Sequence, residues 1–235
     1  MDHRYTQQIK LPYPKVGTAN PTVKLFVKDL TTDAVSQEVI PPQSFLDRFA
    51  EDYIYFRAYW ITPEKLGVVW MNRVQNSSST SECSNDGTFW NCTSIDDLNE
   101  RNGWLLLQQP FYKPGDASAH LQILPKLDPK DGLYYQHLAK VTTNNQHEFL
   151  SDGPMVVTQI LTWINEKVYF VGTNASQPGT RHLYLAQTDV VGSSCRTCGL
   201  PMASTPEEVC QYSDFFISPD SQLYVQVTRF LELPG

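Results

Sequence analysis

The chain has 235 residues, a net charge of -7 and 41% hydrophobic residues. This length and apolar content are typical of a folded protein with a large core and argue against a disordered chain. The acidic balance, without a basic stripe or polybasic cluster, excludes the usual kinds of nucleic-acid-binding and membrane-surface protein. No apolar run reaches the roughly 18 residues that a membrane-spanning helix needs.

The first residues, MDHRYTQQIK, lack the apolar stretch of a secretory signal peptide. This absence alone would indicate a cytosolic protein. The cysteines and glycosylation sequons described next point instead to an oxidising, glycosylating route. We therefore expect the chain to be a fragment of a longer protein.

Helical periodicity is nearly absent from the sequence. Only Gln43–Phe49 and Ser94–Arg101 have patterns that would allow a turn or two of helix. The remainder consists of short alternating or apolar stretches, rich in aromatic residues and separated by Pro, Gly, Asn and Asp. This pattern predicts an all-β protein.

A short hairpin is predicted around the turn-forming stretch NDGT, with Cys83 and Cys92 facing each other across it. Cross-strand neighbours lie at about the separation that a disulfide requires. The alternative is a pair of unrelated free thiols. Sequons for N-linked glycosylation occur in predicted surface loops or strand ends, at Asn76, Asn91 and Asn174.

An aromatic strand end followed by a polar turn occurs four times, as YWITPEK, FYKPGDA, TWINEKV and FFISPDS. The aligned turn residues Pro63, Pro114, Glu166 and Pro219 recur at intervals of roughly 50 residues, and each is followed by another apolar strand. This interval fits a four-stranded propeller blade, whereas a β-sandwich with an accidental repeat is the alternative.

The prediction is thus part of a β-propeller, with about four blades of four-stranded antiparallel sheets. The divisions are a partial blade at 1–42, blades at 43–93, 94–150 and 151–199, and a partial blade at 200–235. An arc of this kind leaves sheet edges unpaired, which is a second reason to expect a longer parent protein.

The sequence offers no catalytic constellation, and we assign no catalytic, cofactor or metal residue. The nearest approach to a nucleophile elbow, at Gly192–Cys195, lacks the final glycine and the strand-to-helix context. Cys195 and Cys198 have redox-motif spacing, but a disulfide closing a small loop is the preferred interpretation. The five tryptophans are predicted to pack between blades rather than to stack on sugars: Trp60, Trp70, Trp90, Trp104 and Trp163.

Several stretches, in order along nearly the whole chain, resemble the propeller of the dipeptidyl peptidase IV family. They are LPYPKVGTANPTVKLFVKDL, WMNRVQN, EC…TFWNC, NGW, FLSDGPMVVTQIL, RHLYLAQT, SCRTCGL and CQYSDFFISPDSQLYVQV. The resemblance implies an extracellular or cell-surface glycoprotein, from a secreted or type II membrane parent. It also implies a missing α/β-hydrolase domain with a Ser-Asp-His triad, which removes X-Pro or X-Ala dipeptides from peptide substrates, and a homodimeric parent.

Two departures from the family pattern affect this interpretation. Thr228 stands where family members usually have a cysteine, which leaves Cys210 as the odd cysteine. The segment after Trp104 is shortened to LLLQQPF, where enzymes of the family often place an aromatic–arginine loop beside the substrate. The alternatives are therefore a non-catalytic family member that acts as a binding or channel-auxiliary subunit, and a free-standing binding module.

Overall fold

The computed structural model describes residues 9–142, 145–200, 212–220 and 222–228. Within these ranges the chain forms sixteen strands and one helix, which confirms the all-β prediction. The elements are β1 (Leu25–Val27), β2 (Gln37–Ile40), α1 (Gln43–Phe49), β3 (Tyr53–Thr62), β4 (Lys65–Asn72), β5 (Ser77–Asn85), β6 (Trp90–Asn99), β7 (Phe111–Lys113), β8 (Asp116–Leu127), β9 (Tyr134–Thr142), β10 (Gln146–Phe149), β11 (Met155–Ile164), β12 (Lys167–Asn174), β13 (Gln177–Gln187), β14 (Val190–Cys195), β15 (Ser213–Ile217) and β16 (Tyr224–Thr228).

The strands assemble into four sheets that follow one another along the chain. The first sheet has the order β1-β2-β6-β5-β4-β3, the second β10-β9-β8-β7, the third β11-β12-β13-β14, and the fourth contains β15 and β16. Neighbouring strands are antiparallel except β2 and β6, which pair in parallel. Several four-stranded antiparallel meanders in sequence are the pattern of propeller blades, and the predicted fold class is confirmed.

The four aligned turns occupy equivalent places in these sheets. Pro63, Pro114, Glu166 and Pro219 each lie between the first and second strands of a meander, namely β3–β4, β7–β8, β11–β12 and β15–β16. β11 contacts both β7 and β15, so the first strands of the second, third and fourth sheets lie next to one another, while β3 contacts β8. The interval of roughly 50 residues therefore corresponds to one sheet per repeat.

The predicted helix at Gln43–Phe49 is confirmed as α1, which follows Pro42 and is followed by Ala50 with a φ of 49°. Its side chain Phe45 is buried against the rings of Phe49 and Tyr53. The helix therefore caps the apolar cluster of the first sheet, which includes Trp70 and Trp90.

The predicted helix at Ser94–Arg101 is wrong, because this segment is the second half of β6. Its backbone pairs with β5 in a ladder that places Asp97 opposite Ser79 and Asn99 opposite Ser77, with a register shift between Ser94 and Asp96. The hydrogen bonds of this ladder outweigh the weak helical preference of a short polar sequence. The predicted blade boundary between residues 93 and 94 therefore falls inside a strand.

The largest apolar cluster lies between the second and third sheets. Leu121 and Leu138 from the second sheet, with Leu150 directly after β10, meet Val157 and Phe170 from the third, and all five side chains are buried. A smaller cluster of Val171, Leu183 and Phe215 joins the third sheet to the fourth. The sheets therefore stack face to face, so that each of the two middle sheets has both faces covered.

The predicted division into blades stays a prediction. The segment 1–42 contributes β1 and β2 to the edge of the first sheet, and most of the segment 200–235 lies outside the described residues. Among the helices of the described part, none is long and apolar enough to cross a membrane.

Replacing Leu138 by alanine tests the importance of this apolar interface. We expect the Leu138→Ala variant to lose about 2–5 kcal/mol of unfolding free energy, because a fully buried side chain leaves a cavity between two sheets. The measurement is urea unfolding followed by tryptophan fluorescence. Leu133 is 58% exposed, so Leu133→Ala is the matched control and should change the free energy by about 0.5 kcal/mol or less. Equal effects of the two substitutions would contradict the proposed core.

Candidate functional site

The structure joins Cys83 to Cys92 by a disulfide between β5 and β6. The two residues are direct partners in the strand register, as the hairpin prediction requires. The turn between the strands is held by Asp86, whose carboxylate accepts hydrogen bonds from the backbone N–H groups of Thr88 and Phe89. The hairpin is therefore crosslinked close to its turn, and the turn itself is stabilised by a side chain.

The three sequon asparagines lie at different depths. Asn91 and Asn174 are exposed, whereas Asn76 is half-buried and its amide oxygen accepts a hydrogen bond of 2.8 Å from the amide nitrogen of Asn72. The carbonyl oxygen of the Asn174 side chain accepts hydrogen bonds from both the backbone and the hydroxyl of Ser176. Exposed loop and strand-end positions are where a bulky glycan can be carried.

The second disulfide joins Cys195 to Cys198 and closes a loop at the end of β14. The loop is fixed to β13 by two hydrogen bonds, from Arg196 N to the Leu183 carbonyl and from Leu183 N to the Thr197 hydroxyl oxygen. The Cys198 backbone N–H donates to the sulfur of Cys195 at 2.9 Å. Cys210, the predicted odd cysteine, lies outside the described residues.

A histidine that the sequence interpretation did not connect with this loop lies beside it. One ring nitrogen of His182 and the sulfurs of Cys195 and Cys198 all lie within 4.8 Å of one another. His182 is buried, and burial lowers the pKa of its imidazole. Its position in the strand is what connects it to the loop. His182 stands two residues before Tyr184, which pairs with Cys195, and alternate residues of a strand share a face.

Polar side chains line the contact between the first and second sheets. His147 contacts the carboxylate of buried Asp96 at 2.7 Å, and this hydrogen bond raises the pKa of His147. His120 lies nearby, and its ring is 5.2 Å from that of Tyr112. Burial lowers the pKa of His120 to about 4, so this imidazole is neutral near pH 7. Burial also raises the pKa of the Tyr112 phenol.

His137 and Ser151 come together in the second sheet, with 2.8 Å between the Nδ1 atom and the hydroxyl oxygen. Both residues are buried, and the Ser151 oxygen also accepts a hydrogen bond from the backbone N–H of Leu138. Because neither group is accessible, the pair serves packing rather than attack on a substrate. Gly192–Cys195 lie within β14 and do not form a strand-to-helix elbow.

The tryptophans divide into two groups. Trp70, Trp90 and Trp163 are buried in the apolar clusters, as predicted. Trp60 and Trp104 are 56% and 78% exposed, so the prediction of core packing is wrong for these two. Trp60 still contacts the edge of the Trp90 ring, whereas Trp104 lies in the irregular segment that follows β6.

Comparison with known proteins places these features in a family. The family model described as dipeptidyl peptidase IV (DPP IV) N-terminal region matches residues 1–234. The chain is 26% identical to dipeptidyl peptidase 4 of Bos taurus, over 94% of this chain and 29% of the relative. It is 28% identical to prolyl endopeptidase FAP of Homo sapiens, over 96% and 30%. It is 29% identical to inactive dipeptidyl peptidase 10 of Mus musculus, over 94% and 27%.

The fold also resembles a crystal structure from Bacteroides ovatus that carries the name dipeptidyl aminopeptidase IV. The TM-score is 0.56 with 12% identity, and the match covers 87% of this chain and 33% of that one. The chain thus spans less than a third of the length of the curated relatives named above.

His120 provides a test of the buried polar contact between the first two sheets. In an unfolded chain a histidine protonates near pH 6.5, whereas burial lowers the pKa of His120 to about 4 in the folded state. Its contribution to stability is therefore present above about pH 6.5 and is lost as the pH falls towards 4. Between pH 7 and pH 4.5 the unfolding free energy of the wild type should fall, because this histidine is protonated in the unfolded chain but not in the folded one. In His120→Phe we expect that fall to be smaller by about 2 kcal/mol.

The measurement is urea unfolding across this pH range. His147→Asn is the contrasting variant, because the partner Asp96 raises the pKa of His147 and the stabilisation is therefore lost as the pH rises. This variant should be destabilised more at pH 5.5 than at pH 8.5. Parallel profiles for wild type and His120→Phe would contradict the neutral, buried state of His120.

Proposed function

The chain belongs to the dipeptidyl peptidase IV N-terminal region family, and from this membership we propose that it forms the middle-to-late propeller of a dipeptidyl peptidase. The parent protein removes N-terminal X-Pro or X-Ala dipeptides from peptides. The ring of blades gates access to a serine hydrolase domain that lies elsewhere in the parent. A homodimer is the proposed assembly of that parent.

The single observation that carries this proposal is the equivalent placement of the four aligned turns in stacked sheets. Because β11 contacts both β7 and β15, the first strands of the second, third and fourth sheets lie side by side. In a propeller such strands surround a central channel. A channel of this kind selects substrates by width, which is the role proposed for the ring in the parent.

A second candidate function is a non-catalytic family member that binds another protein, such as an auxiliary subunit of a channel. The segment between β6 and β7 favours it, because it is short and forms no strand where enzymes of the family often place a substrate-binding loop. The similarity to inactive dipeptidyl peptidase 10 is of the same order as the similarity to the named peptidases. The two candidates differ only in whether the parent turns over substrate.

The parent protein assayed with a Gly-Pro chromogenic substrate separates these two candidates. We expect release of the chromophore that follows saturation kinetics and disappears when the hydrolase nucleophile is replaced by alanine. A Gly-Gly analogue is the control for non-specific hydrolysis. A folded, pure parent that shows no turnover above the alanine variant would overturn the peptidase proposal in favour of the binding subunit.

We also propose that the protein is an extracellular or cell-surface glycoprotein with glycans on Asn76, Asn91 and Asn174. The exposure of Asn91 and Asn174 and the two disulfides support this location.

Expression of the chain behind a secretory signal in eukaryotic cells tests the glycosylation. Single Asn→Gln variants should each remove one step of the mobility shift that peptide N-glycosidase reverses, because each variant removes one acceptor amide. The matched control is Asn102→Gln, because Asn102 is exposed and is not part of a sequon. Secreted chain without any enzyme-sensitive shift would contradict the proposal.

A further inference from the structure

The loop between Cys195 and Cys198 places three soft or borderline ligand groups around one point. Within the described residues, these two cysteines and His182 are the one group of three or more His, Cys, Asp or Glu side chains whose ligand atoms come this close together. In the oxidised state the sulfurs are bonded to each other and are not metal ligands. Reduction would release two thiols beside an imidazole.

We propose that reduction of the Cys195–Cys198 disulfide converts this loop into a binding site for one Zn²⁺, or a chemically similar divalent cation, with His182 as the third ligand. The reductant is a dithiol, which transfers two electrons and two protons to the disulfide and becomes a cyclic disulfide itself. When both sulfurs then bind the cation as thiolates, the two thiol protons are released to solvent. The atoms and charges of both steps therefore balance.

The distances suit such a site. Zinc binds cysteine sulfur at about 2.3 Å and histidine nitrogen at about 2.0 Å, so ligand atoms around a tetrahedral zinc lie roughly 3.5 Å apart. The nitrogen and sulfurs here already lie within 4.8 Å of one another, so a movement of about 1 Å completes the set. The sulfurs separate from bonding distance by side-chain rotation once the covalent link is cut. Cys195–Cys198 also has the C-x₂-C spacing that zinc-binding loops use.

Two hydrogen bonds hold the loop independently of the disulfide. Arg196 N donates to the Leu183 carbonyl at 2.8 Å, and Leu183 N donates to the Thr197 hydroxyl at 3.0 Å. Neither hydrogen bond involves a sulfur. The Thr197 hydroxyl also lies 3.4 Å from Nδ1 of His182, so the same side chain positions the ring and the loop. Outer contacts of this kind orient metal-binding histidines.

Polar groups also lie close to the two sulfurs. The backbone N–H of Cys198 points at the sulfur of Cys195 at 2.9 Å, and a hydrogen bond to a sulfur stabilises its negative charge. The Tyr184 hydroxyl lies 3.9 Å from the sulfur of Cys198. Cys198 is exposed, so a reductant can reach it from solvent and the open side leaves room for water as a fourth ligand.

Cobalt titration of the reduced chain tests the site. The 235-residue chain carrying Cys210→Ser is reduced with dithiothreitol, desalted without oxygen and titrated with Co²⁺ as a spectroscopic probe. We expect a thiolate-to-cobalt charge-transfer band and the visible bands of tetrahedral cobalt, saturating at one ion per chain and displaced by one Zn²⁺. The same chain before reduction should show neither band. A reduced, folded chain without these bands would overturn the proposal.

Variants assign the ligands. Cys198→Ser should abolish the charge-transfer spectrum of this site, and His182→Asn should weaken Zn²⁺ binding by about 100-fold or more, since outer contacts alone cost 10–100-fold. His182→Cys supplies a third sulfur and should restore tight binding. Cys83→Ala/Cys92→Ala is the matched control that removes the other disulfide and should leave the affinity unchanged. Equal affinities of wild type and folded His182→Asn would overturn the role of His182.

A measurement on the unsubstituted histidine covers the case in which His182→Asn does not fold. Zn²⁺ is added to the reduced Cys210→Ser chain while the imidazole proton resonances are followed. One histidine, assigned to position 182, should shift in proportion to bound metal, and the others should not. Binding without any shift of that resonance would show that the two thiolates act alone and would overturn the proposed ligand set.

Discussion

Face-to-face packing of consecutive sheets is the constraint on which this structure depends. A sheet that is covered on both sides buries both faces of its strands. β8 shows this directly, because six consecutive residues from Ala119 to Leu124 are buried. The apolar Ala119, Leu121 and Ile123 belong to the cluster shared with the third sheet, whereas the buried residues between them, His120 and Gln122, are polar. Where the opposing face is also apolar, as between Leu138 and Phe170, the contact is held by burial alone.

The contact between the first and second sheets is built differently. Asp96 is buried and contacts His147 from the neighbouring sheet, while His120 is held neutral close by. Buried polar groups cost free energy unless they are paired, so this contact tolerates fewer relative positions of the two sheets than an apolar one does. The contact between the second and third sheets therefore depends on how apolar side chains fit together, whereas the contact between the first and second sheets depends on specific polar partners.

The sequence predicted those features that repeat locally and missed those that depend on distant partners. The turns at Pro63 and Pro114 recur because each sheet begins with the same hairpin, and the cysteine pairs are close in sequence. The segment Ser94–Arg101 looked helical because nothing within it identifies β5 as its partner. The contact between Asp96 and His147 joins residues 51 positions apart, which no local pattern encodes. The place of His182 beside the cysteine loop required the register of β13 and β14.

The parallel pairing of β2 with β6 has a consequence for biosynthesis. Val39 pairs with Trp90 and Ile40 with Asn91, whereas β3 to β6 pair with sequence neighbours. A ribosome releases β2 long before its partner, so this strand must wait while the hairpins between them form. Its apolar residue Val39 is buried in the finished sheet, in a cluster that includes Trp90 of the late partner strand. The β2–β6 contact is therefore the last part of the first sheet to form as the polypeptide emerges.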